Sequence, residues 1–347
     1  MIKKSSFIVI VAALASSPEL FAQSRAGTTA APFLTMGVGA KGQSLGNANS
    51  IMSTGAEGLF WNPATISIDR GYGSGISAMF NVHELFVGVE AYATGLVLPI
   101  GKGKSIGLGA NLVNYGRQDV RTVSEPQGTG ATFGAYDLSI GVSYAQNLAE
   151  NFYFGVTTKF VQQKIFDMTA ETFAFDFGFV LLTDYLNGAS LGATISNFGG
   201  TMQMNGINTR YVIDIDPNSD GNNTNVPSNL YTDEWDLPLS FKFGLAVPAV
   251  KTDFLELNLM SELQQTNDNN MNVDNGAQLS YLTKTIQFHV RSGYRDFLIG
   301  DEVDSHFSYG LGVSLKTASG PTIVFDFAQV PFEYLGMTTL LDIKLFF

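Results

Sequence analysis

From Ala135 to Tyr144 the chain alternates without a break: Tyr136, Leu138, Ile140, Val142 and Tyr144 are apolar, while Asp137, Ser139, Gly141 and Ser143 between them are small or polar. A period of two puts the two sets on opposite faces of one extended strand. The pattern returns at Phe173, Phe175, Phe177, Phe179 and Leu181, opposite Ala174, Asp176 and Gly178, and at Leu239, Phe241, Phe243 and Leu245, opposite Ser240, Lys242 and Gly244. Leu255, Leu257 and Leu259 alternate with Glu256 and Asn258; Phe307, Tyr309, Leu311 and Val313 alternate with Ser308, Gly310 and Gly312; Ile323, Phe325 and Phe327 flank Asp326. One such run arises by chance. A chain built of them is a sheet with one apolar face.

The other face decides which sheet. A soluble sandwich would turn Lys, Glu and Thr to water; here that face is mostly Gly, Ser, Asn and isolated charges, as the crowded interior of a membrane barrel requires. The 37 Gly, 27 Phe and 13 Tyr, with only 14% charged residues, agree. No apolar run reaches the roughly 18 residues a membrane-spanning helix needs, so a membrane crossing must be made by strands. The sequence therefore predicts an all-β fold, a transmembrane antiparallel β-barrel of about 14 strands after Gly71 in the outer membrane, in contact with its lipid. Its inward charges, Asp137, Lys159, Asp176, Lys242, Glu256, Glu262, Arg291, Asp326, Asp342 and Lys344, are expected to pair across the lumen, because an unpaired charge away from bulk water is costly.

Loop lengths supply an independent test, since such barrels have short periplasmic turns and longer outer loops. The short connections fall at Gly101 to Lys104, Asn147 to Asn151, Asp184 to Gly188, Ala249 to Thr252, Leu282 to Thr285 and Lys316 to Gly320. The other end receives the long connections, at Arg117 to Ala131, Gly200 to Trp235 and Gln265 to Asn275, together with Asp296 to Asp304 and a few tight ones, and the alternation of ends is expected to hold its phase throughout. The chain closes on Met337, Thr339, Leu341, Ile343, Leu345 and Phe347, and a terminal aromatic on an alternating strand resembles the signal read by the barrel-assembly machinery, with Phe347 as its residue.

Lys3 and Lys4, the apolar run Phe7 to Ala15 and the stretch ending in Leu20, Phe21 and Ala22 read as a signal peptide over residues 1–22. Its removal takes away two lysines and one glutamate and leaves 17 basic and 30 acidic residues. So acidic a chain repels nucleic acid. It has no cysteine, which excludes disulfides and thiolate metal sites.

Between Ala26 and Asp69 the alternation stops and small residues take over, with six glycines from Gly37 to Gly58, then Phe60, Trp61, Asn62, Pro63 and Ala64. A segment this long and apolar is neither linker nor solvated tail. It is read as a hatch inside the barrel, giving residues 23–70 as plug and 71–347 as barrel. Asn62 is placed to cap a short turn whose first helical φ is fixed by Pro63. The stretch PFLTMGVGAKGQSLGNANSIMSTGAEGLFWNPATIS resembles the N-terminus of the PorV/PorQ family, which belongs with the FadL-like barrels, and carries the hatch motif at Trp61, Asn62, Pro63 and Ala64. NFGG from Asn197, LPLSFKFGLAV from Leu237, GYRD from Gly293 and PFEYLG from Pro331 look like later strands of that family; Gln43, Ser44 and the long loop after Asn205 depart from it.

The resemblance implies two functions. A PorV/PorQ-like protein would serve type IX secretion, its partners being secretion subunits and secreted proteins recognised by its barrel and outer loops. A FadL-like one would be a passive transporter of hydrophobic small molecules, bound in an apolar pocket near the hatch and released sideways or inward. The first is the main expectation. An apolar pocket between outer loops and hatch favours the second, whereas an exposed aromatic or strand-edge surface favours the first; Phe332 and Tyr334 in the last outer loop would suit either.

Enzyme-like strings fail on context, and no catalytic residue is assigned. Gly37, Gly39 and Gly42 spell G-x-G-x-x-G without a βαβ unit; Gly188, Ser190 and Gly192 spell G-x-S-x-G without a following helix; Gly103, Lys104 and Ser105 lack the first P-loop glycine, position 98 being Leu. The three histidines, His83, His289 and His306, are scattered, and His289 alone takes a lumen position, so a hydrolase would need it beside a serine. In the outer loop, Asp216, Asn218 and Asp220 match alternate ligand positions of a calcium loop whose twelfth position is Pro227 instead of Glu; a structural calcium is the one cofactor considered.

Overall fold

A computed structural model describes residues 27–72, 75–218, 221, 223, 225–297, 307–317, 320–332 and 335–347. The signal peptide, His306 and Tyr334 lie outside the described residues. Among those described, no helix is long and apolar enough to cross a membrane.

Fourteen antiparallel strands form the wall: β1 Ser77–Glu84, β2 Glu90–Gly101, β3 Lys104–Asp119, β4 Thr132–Ala149, β5 Phe152–Ile165, β6 Met168–Leu182, β7 Ser190–Gly199, β8 Ser240–Lys251, β9 Leu255–Thr266, β10 Asn272–Leu282, β11 Ile286–Tyr294, β12 Phe307–Lys316, β13 Thr322–Phe332 and β14 Gly336–Phe346. Each pairs with its neighbours in sequence, and β1 pairs with β14 from Ser77↔Phe346 to Glu84↔Thr339, so the sheet closes on itself. Closure removes the free edges that a bilayer could not hydrogen-bond. The alternation sorts as expected. Phe173, Phe243, Phe325 and Leu341 are exposed on the outside, whereas Asp137, Asp326, Asp342 and Lys344 are buried inside. An apolar belt around a closed barrel is stable only in a membrane, and the fold is that of an outer-membrane β-barrel.

All connections at one end are short, and the long ones, including residues 120–131 and 200–239, lie at the other. By that rule the short-turn end is periplasmic. The outer loop 200–239 carries its own two-stranded pieces, Arg210–Ile213 with Val226–Asn229 and Met202–Gln203 with Glu234–Trp235.

The short turns stay at one end and the long loops at the other around the whole barrel, as expected, but the strands carry β-bulges that the sequence pattern did not reveal. Register shifts occur between Pro99 and Gly101, Asn114 and Arg117, Asn147 and Ala149, Phe175 and Phe177, and Pro248 and Val250. Two of these β-bulges turn on left-handed residues: Gly116 at φ +72°, and Asn197 at φ +64° across from Asp176. An extra residue on one strand leaves the flanking alternation intact, so periodicity alone does not reveal it.

Candidate functional site

The N-terminal segment packs within the lumen as short helical turns at Pro32–Thr35, Ala40–Ser44, Gly55–Glu57, Gly58–Trp61 and Pro63–Ser67. It enters at the outer end, where Ala30 N donates to Asp236 O at 2.8 Å and Thr29 Oγ1 to Asp268 at 2.8 Å. It leaves at the periplasmic end, where Ile68 packs with Val180, Tyr153 and Leu182. The wall makes room for it with glycines. A Cβ on Gly155 would lie 2.3 Å from Pro63 C, and one on Gly178 would lie 2.0 Å from Asn62 Oδ1.

The residues Trp61, Asn62, Pro63 and Ala64 lock this end. Asn62 Oδ1 accepts from Ala64 N at 3.0 Å, capping the turn that Pro63 opens, and Asn62 Nδ2 donates across to Phe179 O at 3.3 Å. Trp61 Nε1 donates to Val38 O at 2.7 Å, tying the motif back to the start of the segment, and Lys242 sits 5.2 Å from its ring centroid.

The centre is an ion network. Glu57, fully buried on the segment, meets Lys344 of β14 at 3.1 Å and Lys41 at 3.5 Å, and also accepts from Asn49 Nδ2 at 3.2 Å and Thr54 N at 3.4 Å. Lys344 continues to Asp326 at 3.1 Å and Asp342 at 3.6 Å, and Asp326 to Arg291 at 2.6 Å. Wall carboxylates hold the segment's backbone directly: Asp342 accepts from Ala40 N at 2.8 Å and Glu262 from Ser50 N at 3.0 Å. Lys159–Asp176 at 2.8 Å and Lys242–Glu262 at 3.1 Å complete the expected pairs. Asp137 and Glu256 differ: no cation pairs with either among the described residues, and they accept instead from Tyr115 and Gln163, and from Asn258. Neutral donors suffice for a luminal carboxylate, a choice that residue type along the strand does not announce.

Glu57 and Lys41 lie on the segment, outside the spanning strands. Burial raises the Glu57 carboxyl, but Lys344 and Lys41 outweigh it and hold the group below the usual carboxylate range. Burial lowers Lys41 to about 8 despite Glu57. Between about pH 8 and 10.5 the unfolded chain therefore holds a proton that the folded one has released, and this group makes stability rise with pH across that window. Replacing Lys41 with Met should flatten the rise, read as the difference in urea midpoint between pH 8 and pH 10.

At the outer end the lumen is apolar. Ala91, Val113, Val161, Ala170, Ala174, Met202 and Leu237 form a cluster whose centre is filled by the segment's own Ala31 and fully buried Phe33, with Leu34 and Met36 against it. Ala31 N donates to Gln163 Oε1 at 2.9 Å and fixes this stretch in place. Below it, a cavity of about 60 Å³ is bordered by Leu34, Met36, Leu59 and Phe60. Two larger cavities, about 410 and 920 Å³, lie on the periplasmic side of the segment and share Thr54, Ile68, Asp69, Arg70, Tyr72 and Phe346.

His289 faces the lumen between two serines, Nδ1 at 2.8 Å from Ser280 Oγ and Nε2 at 3.1 Å from Ser314 Oγ. Both ring nitrogens are thus taken by hydroxyls, and among the described residues no carboxylate orients the ring as a hydrolytic triad requires. Asp216 and Asn218 lie in an exposed turn in which Asp216 Oδ1 accepts from Asn218 N at 3.2 Å, while Asp220 lies outside the described residues. Phe347 is exposed at the periplasmic end, its N donating to Ile76 O at 2.9 Å. Sequence reasoning missed the outer apolar cluster, Phe33 and Arg70. Their only signal was the break in alternation, which marks the segment without saying which wall residues it meets.

No protein-family model matches the sequence, and no curated protein matches it. Solved structures do share the fold. The CymD monoaromatic hydrocarbon channel is 13% identical at a TM-score of 0.59, over 90% of this chain and 98% of that one. The Pseudomonas putida toluene transporter TodX is 12% identical at 0.55, over 89% and 96%, and the Ralstonia pickettii toluene transporter TbuX is 12% identical at 0.52, over 89% and 97%. None of these three is named for protein secretion. At such identities the likeness is one of fold alone, a closed antiparallel outer-membrane β-barrel, over about nine-tenths of the chain.

Proposed function

We propose that this protein is a passive outer-membrane channel for small hydrophobic molecules, with the segment of residues 27–70 as its hatch, and not an enzyme. The reading rests on the apolar cluster around Phe33 at the outer end of the lumen, where a solute arriving from outside would meet it first. A polar lumen suits water and ions, whereas an apolar chamber facing the outside gives an apolar solute its first favourable place to bind. The fold is shared with channels named for toluene and monoaromatic hydrocarbons, and the chemistry of the chamber agrees with such a solute. The adjoining cavity of about 60 Å³ is too small for one, since a cavity known to hold benzene measures roughly 150 Å³. Binding therefore displaces the Phe33 side chain.

This reading makes Phe33→Ala a gain-of-binding variant. It leaves a ring-sized space and removes the cost of moving the phenyl group, so labelled toluene should bind the detergent-solubilised variant about tenfold tighter than the wild type, whose competent state is only a fraction of the population. Retention equal to a micelle blank for both proteins contradicts the reading.

A second reading has its own observation. The outer loop exposes Tyr211, Val212, Ile215, Leu230, Tyr231 and Trp235 around a two-stranded hairpin, the kind of aromatic, strand-edged surface that binds protein. It supports the type IX secretion role implied by the PorV/PorQ resemblance. Affinity isolation of the native complex tests it: large secretion subunits or secreted proteins would support it, and a lone barrel carrying apolar small molecules would support the channel.

A further inference from the structure

The chain as a whole is acidic, with 31 acidic residues against 19 basic. The two periplasmic-side cavities reverse that balance, counting eight basic side chains in their lining and four acidic ones. The deepest cations are already matched: Lys41 and Lys344 by Glu57, and Arg291 and Lys344 by Asp326. Nearer the mouth the matching stops. Among the described residues, no carboxylate lies within ion-pair distance of Arg70, Lys251 or Lys316, although Asp69 and Glu256 line the same space.

Arg70 lines both cavities and so stands on the divide between them. One side of its guanidinium is committed to the hatch, with Nη2 donating to Ile51 O at 2.7 Å and Nη1 to Met52 Sδ at 3.6 Å. Its Nε–H is buried and has no partner. A buried N–H with nothing to donate to is unfavourable, the more so when the group is charged. Lys316 approaches from the wall and donates to Gly71 O at 3.3 Å, one residue beyond Arg70, leaving two ammonium protons uncommitted. Ile68, Leu182 and Phe346 give the same space apolar walls. Cations gathered in a cleft with low-dielectric walls raise the local concentration of anions.

We propose that the periplasmic end of the lumen is a binding site for a small oxyanion, a carboxylate or phosphate group, held by the planar guanidinium of Arg70 and flanked by Lys251 and Lys316. The site lies at the opposite end of the lumen from the Phe33 chamber and does not depend on the channel reading. An oxyanion accepts the idle Nε–H, which neither chloride nor an apolar solute does as well. Because Arg70 also holds the hatch through Ile51 and Met52, occupancy adds a contact at the hatch's exit.

Calorimetry on the whole detergent-solubilised protein tests this with two water-soluble probes, sodium butyrate and inorganic phosphate, at low salt. At least one should bind saturably. Arg70→Gln should weaken that binding at least tenfold, Lys251→Gln and Lys316→Gln each severalfold, and Lys284→Gln, a rim lysine lining neither cavity, should leave it unchanged. Arg70→Lys, which keeps the charge without the fork, should recover part of it and shows that the loss is not one of folding. Tighter butyrate than phosphate assigns the group to an organic acid, and the reverse to a phosphate; either supports the site. No saturable heat with either probe overturns it, as does binding that Arg70→Gln and Lys251→Gln leave intact.

Discussion

Replacing Glu57 with Gln should destabilise the folded barrel by about 3–5 kcal/mol, the range found when one partner of a buried ion pair is removed. Glu57 is the only carboxylate of the described hatch interior that bridges it to the wall, through Lys344, while also holding Lys41. Gln at this position keeps the shape but has a single acceptor oxygen, so it can accept from Asn49 or from Thr54 and not both, and it leaves Lys41 without its counter-ion. The variant should convert from the compact to the extended band in heated detergent gels at a lower temperature. It should also be cut by protease within residues 40–60, where the wild type is protected. The pH dependence has a definite sign. The folded carboxyl of Glu57 is held below its ordinary value, so its contribution is fully present above the unfolded pKa of about 4.3 and is lost as pH falls through the folded value. The wild type should lose stability steeply in acid, and Glu57→Gln should lose less over the same range, having already lost this interaction.

Gly155→Ala should open the lumen without unfolding the wall. The new methyl would sit 2.3 Å from Pro63 C and 2.4 Å from Ala64 N, both backbone atoms, so no side-chain rotation relieves the clash. The strand itself accepts alanine readily, and overpacking of this kind costs about 1–3 kcal/mol; the hatch turn, tied to the wall here through Asn62 and Phe179 O, moves before the continuously hydrogen-bonded strand does. Planar-bilayer recordings should then show conductance steps absent from the wild type. An unchanged closed baseline would mean that the hatch does not seal the barrel.

Much of the wall was legible in the sequence because strand periodicity acts on each residue separately. Asp137, Asp326 and Lys344 face inward, and Phe173 and Phe243 outward, for no reason beyond position in the alternation. The turns at one end and the loops at the other followed from length alone. What was hidden depends on residues far apart in the chain. Nothing near Glu57 points to Lys344, 287 positions later, and nothing near Phe33 points to Val113, Val161 and Met202. The bulge at Gly116 escaped for a different reason: a glycine in a glycine-rich strand does not show whether it spares a clash, as Gly155 does, or supplies a left-handed φ. The loop hairpin at Arg210–Ile213 was missed because its strands are too short to establish a period.

Function was legible only as a choice between two readings, since the resemblance at Trp61 to Ala64 concerns how a hatch is seated and not what passes it. The placement of Phe33 in an apolar outer cluster shifts the balance towards transport. Uptake of labelled toluene by intact Gram-negative cells tests that claim most directly, comparing cells that display this protein in the outer membrane with cells carrying an empty vector. Uptake should be faster and saturable with the protein present, and should increase further with Phe33→Ala. Uptake equal to the empty vector, from cells in which the folded barrel is demonstrably in the outer membrane, would contradict it.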